Sequence, residues 1–451
     1  MNSEIELAGL EKATVIERDN HSISRKQISP NALKVLYRLS SAGFHAYIVG
    51  GGVRDLLLGT KPKDFDVATD ASPEELRKLF KNARIIGRRF KIVHIRFGRE
   101  IIEVTTFRAN HDPKNQIADH ISRRQIKGLD SAHSKAGMIL RDNVYGNIDE
   151  DAFRRDFTVN ALYYTTRNFL LLDFCGGLDD LQNKEIRMIG DPTARYKEDP
   201  VRMLRAIRFS AKLGFEIEEN TKKPIDELSY LLDSISSARL FDETLKLMTG
   251  GFAQRTFELL SQYQLGSYLF APTIDAIEQG DSVSAKLVDL ALSNTDSRIA
   301  AEKSVTPAFL FSALLWPVLK LKLANSKNLD LAPQQAFEQA AQSTLMEQLD
   351  YTAIPKRFTV ACREIWDLQG RLQRRNKRSI ESTFKHPRFR AAYDFLLLRE
   401  QAGEELDGLG QWWTDFQTGD QKEKTELSGA VPRVKNLRRR RSKRKRTGDS
   451  E

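Results

Sequence analysis

The chain has 451 residues, which is longer than one hydrophobic core usually organises, so we expect two or more domains. Hydrophobic residues make up 40% of the chain, the formal charge is +10, and the two cysteines, Cys175 and Cys362, lie far apart. The few cysteines, the lack of a signal-peptide core and the short length of the most apolar stretch, residues 307–319, exclude a disulfide-rich secreted domain and a membrane-spanning protein.

The N-terminal part of the chain leads into a glycine-rich turn. Residues 1–28 show no regular pattern and predict a disordered leader, and Ser29-Pro30 predicts a helix start with a capping hydroxyl before proline. An apolar strand over residues 44–49 then runs into Gly50-Gly51-Gly52 and a short helix. Glycines after a strand let the backbone approach an anion closely, and the positive end of the next helix points to the same place. This part of the chain predicts a phosphate-binding turn.

A second apolar strand, over residues 65–68, is associated with two carboxylates, Asp64 and Asp66. Side chains at positions i and i+2 of a strand share a face, so these two carboxylates are expected to converge on one or two hard cations. Taken separately, the glycines are an ordinary turn and the acidic pair is a solvated loop. Together, a phosphate-binding turn beside a carboxylate pair is what metal-assisted phosphoryl transfer requires.

These two segments resemble the head of the class II nucleotidyltransferases, the family of tRNA CCA-adding enzymes and bacterial poly(A) polymerases. The match lies in the glycines followed by Val53-Arg54-Asp55 and, after eight intervening residues, in the segment Asp64-Phe65-Asp66. The resemblance implies one set of residues for a nucleoside triphosphate and one for two Mg²⁺ ions, with Mn²⁺ as a substitute. These are Gly51, Gly52 and Arg54 for the triphosphate, and Asp64 and Asp66 for the metal ions.

The remainder of the predicted head contains two strands and a long polar segment. Strands over residues 91–97 and 101–107 are joined by a hairpin turn. Glu103, on the second of them, either faces the carboxylate pair as a third acid or points outward. Residues 109–140 show no period and predict a mobile loop. Residues 85–95 resemble the segment that marks the poly(A) polymerases within the family.

A charged triplet, Arg154-Arg155-Asp156, precedes apolar residues at helical spacing, Phe157, Ala161 and Leu162. The spacing predicts that the triplet lies at the beginning of a helix. One interpretation is a local ion pair. The other follows from similarity to the family's second signature, which implies that Arg155 contacts a nucleotide phosphate or ribose and that Asp156 joins Asp64 and Asp66 as a third acid.

The next strong motif surrounds a predicted helix start at Asp199-Pro200. Asp199 is expected to cap this helix, and Arg202 to lie one turn later on the same side, where the two offer an acceptor and donors to the edge of a base. The alternative is an ordinary N-cap followed by surface arginines. The segment resembles the family's nucleotide-recognition motif through Phe209, which implies that Asp199 and Arg202 read the base and that Arg205 also binds the nucleotide.

The C-terminal half predicts helices and a basic tail. Helical periods over four stretches predict an all-α body, in which Trp412 and Trp413 are expected to anchor the last helix rather than to stack on bases. Residues 431–451 contain ten lysine and arginine residues against two acids, and they predict a disordered tail attracted to RNA. An anionic membrane surface and simple solubility are the alternatives. The tail residues expected to contact RNA are Arg438, Arg439, Arg440, Arg441, Lys443, Arg444, Lys445 and Arg446.

Together, the motifs predict an α+β protein with a mixed-sheet nucleotidyltransferase head, an all-α neck and body, and a disordered basic tail. The expected borders are a leader at 1–28, the head at 29–165, the neck at 166–250, an RNA-binding body at 251–420 and the tail at 421–451. The predicted activity is template-independent addition of AMP from ATP to RNA 3′ ends by two-metal phosphoryl transfer. CCA addition to tRNA is the alternative within the family, and an RNA-binding protein with an inactive head is the alternative outside it.

The predicted partners follow from this activity. We expect the chain to bind ATP and RNA 3′ ends, and RNA-decay or RNA-chaperone proteins besides them. We also expect a monomer that is cytoplasmic and lacks a transmembrane segment.

Overall fold

A computed structural model describes residues 10–87, 91–109, 131–133, 139–142, 144–280, 282–326 and 331–429. Three predictions from sequence fall partly or largely outside these ranges: the segment at 85–95, through its residues 88–90, the loop at 109–140 and the basic tail. The chain divides into two compact units. The first comprises Met1–Asp275, Leu292–Ser304 and Met346–Ile354, and the second comprises Ala276–Ala291, Val305–Leu345 and Pro355–Glu451. The first unit therefore extends past the neck border expected at residue 250.

The first unit is built on an eight-stranded mixed sheet with the strand order β1-β10-β9-β2-β3-β6-β5-β4. Among these strands only β3 and β6 run parallel, and the other neighbours are antiparallel. The strands are β1 (Thr14–Ile16), β2 (Ala46–Val49), β3 (Asp66–Thr69), β4 (Ala83–Ile86), β5 (Ile92–Phe97), β6 (Glu100–Thr106), β9 (Leu162–Tyr164) and β10 (Leu171–Asp173). Two small sheets pair β7 (Ser131–His133) with β8 (Ile139–Asp142) and β11 (Glu185–Ile186) with β12 (Glu216–Ile217).

Helices make up most of the remaining described chain. Up to residue 262 they span Pro30–Ser41, Gly51–Leu57, Pro73–Leu79, Ile148–Arg154, Gly177–Asn183, Pro192–Glu198, Val201–Leu213, Glu219–Lys222, Pro224–Leu228, Ser237–Met248 and Ala253–Gln262. After residue 262 they span Ser267–Gln279, Ser282–Ala300, Pro307–Leu314, Trp316–Asn325, Pro333–Tyr351, Lys356–Leu372, Lys377–Phe384, Phe389–Ala402, Leu409–Thr418 and Gln421–Gly429. The predicted fold class, a mixed-sheet head followed by helices, is confirmed.

Two local predictions are wrong. The leader is structured from residue 14, because β1 adds to the sheet against β10. The helix expected to begin at Arg154-Arg155-Asp156 instead ends at Arg154, where Arg155 takes an extended backbone with φ −61° and ψ 168°. Leu162 and its neighbours then form β9 between β2 and β10. A short apolar run reads equally well as helix or strand, and here the strand partners decide.

Each unit has its own hydrophobic core. In the first, one core cluster includes Tyr47, Val49, Ala68 and Tyr163 on the central strands. In the second, Trp413 is fully buried against Leu372 and its neighbours, so its predicted anchoring role is confirmed. No single helix in the described ranges is long and apolar enough to cross a membrane. The helices Pro307–Leu314 and Trp316–Asn325 reach that length and composition only as a pair bent by 42°.

Candidate functional site

The glycine-rich turn lies between β2 and the short helix Gly51–Leu57. Gly50 has φ +74° and ψ −137°, a conformation that side-chain-bearing residues rarely adopt, so glycine is required there. A Cβ on Gly52 would lie 3.2 Å from the Phe65 ring, which shows that the turn packs tightly against the segment bearing the acidic pair. Nη1 of Arg155 lies 3.8 Å from the place where a Cβ on Gly50 would be. The turn and a guanidinium therefore face each other.

Three carboxylates gather beside this turn. Asp66 begins β3 and pairs in register with Glu103 of β6, so their side chains share one face of the sheet. The pKa of Asp66 is raised to about 6 by partial burial and by the negative charges of Glu103 and Asp64, with Arg155 acting in the opposite direction. Asp64 is exposed just before the strand. The structure thus places Glu103 on the same face as Asp66, with Asp64 close enough for its charge to act on Asp66. A part for Glu103 in catalysis stays a prediction.

This carboxylate group fits a divalent cation that is shared with a substrate. Oxygen ligands suit Mg²⁺, and a cation would relieve the repulsion that raises the Asp66 pKa. Within the described ranges, no group of three or more His, Cys, Asp or Glu side chains could hold a metal ion by itself. Glu103 also bonds to Nε2 of His94 at 3.1 Å. The remaining ligands would therefore come from substrate phosphates, as is usual for Mg²⁺ in phosphoryl transfer.

Arg54 does not line the turn as a free phosphate ligand. Its side chain is almost completely buried, with 1% exposure. Nε and Nη2 donate to Oδ1 of Asp55 at 2.9 and 2.6 Å, and Nη1 donates to Oδ1 of Asn160 at 2.6 Å. The guanidinium connects the glycine-turn helix to the segment before β9, which is a positioning role beneath the site.

Arg155 and Asp156 belong to different networks although they are adjacent in sequence. Arg155 donates from Nε to the hydroxyl of Tyr163 at 2.8 Å and from Nη2 to Asp151 at 3.0 Å, which fixes it on the site side. Asp156 instead accepts from Nε of Arg205 at 2.6 Å. Burial alone would raise the pKa of Asp156, but Arg205 and the Phe157 N–H lower it to about 2. Asp156 is thus paired with Arg205 of the neck, and its role as a third acid stays a prediction.

The two residues predicted to read the base, Asp199 just before the helix Val201–Leu213 and Arg202 within it, are held in ion pairs. Pro200 is the N-cap, without a side-chain cap, so Asp199 does not cap this helix as predicted. Both Asp199 oxygens accept from Nη2 of Arg239, at 2.8 and 2.7 Å. Nη1 of Arg202 donates to Glu198 at 2.8 Å. No role was predicted for Glu198, which directly precedes Asp199, or for Arg239, whose pairing with Asp199 depends on the tertiary structure.

Comparison with known protein families identifies three matching segments. Residues 46–187 match the poly A polymerase head domain, residues 214–278 match the probable RNA and SrmB-binding site of polymerase A, and residues 329–447 match the polymerase A arginine-rich C-terminus. The head match contains the glycine turn, the acidic pair and Arg155.

Similarity to individual relatives extends over nearly the whole chain. Poly(A) polymerase I of Escherichia coli O6:H1 is 49% identical over 419 residues, which are 91% of this chain and 88% of that protein. The chain belongs to the poly(A) polymerase I family. The Haemophilus influenzae poly(A) polymerase I is 46% identical over 416 residues, covering 91% of this chain and 89% of its own. The predicted family is confirmed.

CCA-adding enzymes are more distant from this poly(A) polymerase I family member. The CCA-adding enzyme of Lactobacillus helveticus is 37% identical over 235 residues, about half of each chain (52% and 53%). The Thermotoga maritima CCA-adding enzyme complexed with tRNA superposes with a TM-score of 0.53 at 19% identity, covering 86% of this chain and 83% of its own. A tRNA-processing enzyme with CTP superposes with a TM-score of 0.55 at 21% identity, and the match covers 88% of this chain and 96% of that enzyme's chain. The solved structures establish the fold, and the sequence relatives favour the adenylyltransferase prediction over CCA addition.

Proposed function

We propose that this chain transfers AMP from ATP to RNA 3′ ends at the site formed by the glycine turn, Asp64 and Asp66. The observation that supports it is the group of carboxylates beside the glycine turn, where desolvation and then the charges of Glu103 and Asp64 raise the pKa of Asp66 to about 6. Nucleotidyltransferases of this family use divalent metal ions. Asp64 and Asp66 would hold them, and Mg²⁺ is the ion we propose, with Mn²⁺ as a substitute. When bound, the metal ions supply Lewis-acid chemistry that favours attack by the 3′-hydroxyl and departure of pyrophosphate.

The chain's own residues position the triphosphate. The turn at Gly50, Gly51 and Gly52 lets the backbone approach phosphate oxygens, and Arg155 lies across from it, held by Tyr163. A guanidinium that is already fixed loses little conformational entropy when it binds an anion. Arg54 acts one layer below by holding the glycine-turn helix in place. Glu103 completes the carboxylate face and is oriented by His94.

Base selection is assigned to Asp199 and Arg202. Adenine presents an amino donor beside a ring acceptor, so Asp199 accepts from the amino group and Arg202 donates to the ring nitrogen. Guanine and uracil present the opposite pattern and are rejected. Cytosine presents the same pattern as adenine, because its amino group is also a donor. Discrimination between ATP and CTP must therefore come from the size and rigidity of the site, to which the Arg239 and Glu198 ion pairs contribute. Arg205 supports the site through Asp156 rather than through the base.

Nucleotide choice tests the proposal directly. The full-length chain, a short single-stranded RNA and Mg²⁺ are incubated with one nucleoside triphosphate at a time. ATP alone should give a long ladder, whereas GTP and UTP give essentially no extension and CTP is at least about tenfold slower than ATP, a difference of about 1.4 kcal/mol. Three additions on tRNA that need both CTP and ATP would instead support CCA addition. Absence of Mg²⁺-dependent pyrophosphate release would support an inactive head.

Loss of the Arg239 ion pair should weaken ATP binding more than turnover. In Arg239→Ala the Asp199 carboxylate loses two charge-assisted hydrogen bonds, so we expect KM for ATP to rise roughly tenfold, since such bonds contribute about 1.5–3 kcal/mol. Arg255→Ala, which removes a solvent-exposed pair with Glu258 in the same unit, is the matched control and should leave KM unchanged. If the two substitutions changed KM for ATP equally, Arg239 would have no specific part in binding the base.

The remaining predictions concern the protein's surroundings. A cytoplasmic location, a monomeric state and binding of RNA-decay or RNA-chaperone proteins stay predictions from sequence. Contact of the basic tail with RNA also stays a prediction, because residues 430–451 lie outside the described ranges.

A further inference from the structure

A second basic segment lies within the folded part of the chain. Residues 371–390 contain eight arginine and lysine residues and one glutamate, a formal charge of +7 over twenty residues. The net charge of the folded part does not reveal this segment, because acidic residues elsewhere in the folded part offset its positive charge. The segment follows the helix Lys356–Leu372 and includes the helix Lys377–Phe384, both in the second unit.

The basic side chains of this segment fall into two groups. Arg371, Arg388 and Arg390 pair with Asp367, Glu364 and Asp394. The others have no acidic partner within the described ranges, and all of them are exposed or half-buried. These are Arg374, Arg375, Lys377, Arg378 and Lys385.

The position of Lys377 and Arg378 is unfavourable for the helix itself. They occupy the first turn of Lys377–Phe384, which contains no acidic residue, and cations there oppose the helix dipole. Asn376 caps the helix by accepting from the Ser379 N–H at 3.0 Å. The two cations therefore do not help to form this helix, and a bound anion would compensate their charge.

Aromatic side chains lie beside these cations. The Arg375 guanidinium lies 6.0 Å from the centre of the Trp412 ring, and Trp412 stacks on Phe416 with an interplanar angle of 10°. This contact orients Arg375. Phe384, at the end of the helix, is 39% exposed while its ring packs against Phe389 and Phe416. Exposed phenyl rings and oriented guanidinium planes are the surfaces on which unpaired bases stack.

We propose that this basic–aromatic patch, formed by Arg374, Arg375, Lys377, Arg378, Phe384 and Lys385, binds single-stranded RNA. The inference rests on the proposed function, which makes RNA the substrate. The cations supply phosphate contacts that ignore sequence, and Phe384 and Arg375 supply stacking. An anionic membrane is the less suitable occupant, because the patch exposes one phenyl ring and no aliphatic side chain that would insert between lipids. The patch lies outside residues 214–278, the segment that matches the probable RNA-binding family model.

Equilibrium binding of a fluorescein-labelled 20-nucleotide single-stranded RNA to the full chain, without ATP or divalent ions, tests the inference. The patch variant is Arg374→Gln, Arg375→Gln, Lys377→Gln and Arg378→Gln. The control variant is Arg77→Gln, Lys78→Gln, Lys81→Gln and Arg84→Gln, which removes four exposed cations from the first unit. We expect the patch variant to bind at least tenfold more weakly and the control to change less than twofold. The slope of log affinity against log salt should fall by about 0.7 for each phosphate contact that is lost.

Further measurements separate the alternatives. Phe384→Ala should weaken binding of the RNA at least threefold and leave binding of inorganic polyphosphate unchanged, because polyphosphate has no bases to stack. If stability changes in the fourfold variant, the milder pair Lys377→Gln and Arg378→Gln repeats the comparison. Equal losses in patch and control variants would mean that binding follows net charge alone, which overturns the inference. If the patch variant binds RNA normally but no longer binds vesicles containing phosphatidylserine, the patch is a membrane-binding surface and the inference is overturned.

The inference and the proposed function fail in different ways. Binding is measured without catalysis, so RNA binding through the patch by a chain that adds no adenylate contradicts only the proposed function. Normal adenylate addition by a chain whose patch variant binds RNA like the wild type contradicts only the patch.

Discussion

Asp66→Asn should reduce adenylate addition by about a thousandfold or more, while the protein melts at the same temperature as the wild type or a higher one. The loss of rate follows from removing one of two carboxylates that would hold the metal ions, whose charge stabilisation is worth several kcal/mol. The retained stability follows because the negative charge that the substitution removes is unfavourable for the fold. The pKa of Asp66 is raised to about 6, so above that pH the ionised side chain repels Glu103 and Asp64, and the amide removes this repulsion.

The combination of lost activity and retained stability distinguishes a catalytic role from a structural one. Rates are measured as single-nucleotide addition with saturating ATP, and melting is followed by circular dichroism at pH 7.5. Asp179→Asn, the same change at an exposed residue of the same unit, should leave both unchanged. A rate for Asp66→Asn within tenfold of the wild type would show that the metal assignment is wrong.

Asp156→Asn is expected to act mainly on stability, with a loss of about 3 kcal/mol in the free energy of unfolding at pH 7, the usual effect of breaking a buried ion pair. The pKa of Asp156 is lowered to about 2, against an ordinary value near 4, because the effect of burial is outweighed by Arg205. A lowered pKa means that the pair stabilises the fold above pH 4 and that this contribution disappears as the pH falls toward 2. The difference in the free energy of unfolding between Asp156→Asn and the wild type should therefore shrink as the pH falls from 4 toward 2.

Urea unfolding at pH 7, 5, 4 and 3 measures this difference. Asp367→Asn is the matched control, because it removes a partly exposed ion pair between Asp367 and Arg371, one helical turn apart. This substitution should lower the free energy of unfolding by less than about 1 kcal/mol. If Asp156→Asn abolished activity and kept wild-type stability at pH 7, the original prediction of a third catalytic acid would be supported instead.

Features that depend on neighbouring residues were predictable. Ser29-Pro30 does start a helix, because capping and the fixed φ of proline act within one turn. The glycine turn and its positive φ at Gly50 also follow from local sterics. The expectation that both carboxylates lie on one strand was not met, because β3 begins at Asp66 and Asp64 precedes it. The segment 162–164 was predicted as helix, and it is a strand because of distant partners that local sequence does not reveal.

The assignment of charges was not predictable. Arg54 pairs with Asn160, which is 106 residues away, and Asp156 and Asp199 pair with Arg205 and Arg239, which come from other elements. The basic–aromatic patch likewise required the contact between Arg375 and Trp412.

The sequence by itself therefore determined the family, the order of the motifs and the local geometry of the glycine turn. Only the tertiary structure decided which arginine faces the turn, which acid shares a face with Asp66 and which cations stay without an acidic partner among the described residues. The physical reason is range: dihedral and capping preferences act over a few residues, whereas the partner of a charged side chain is chosen by whichever distant element packs within about 4 Å of it.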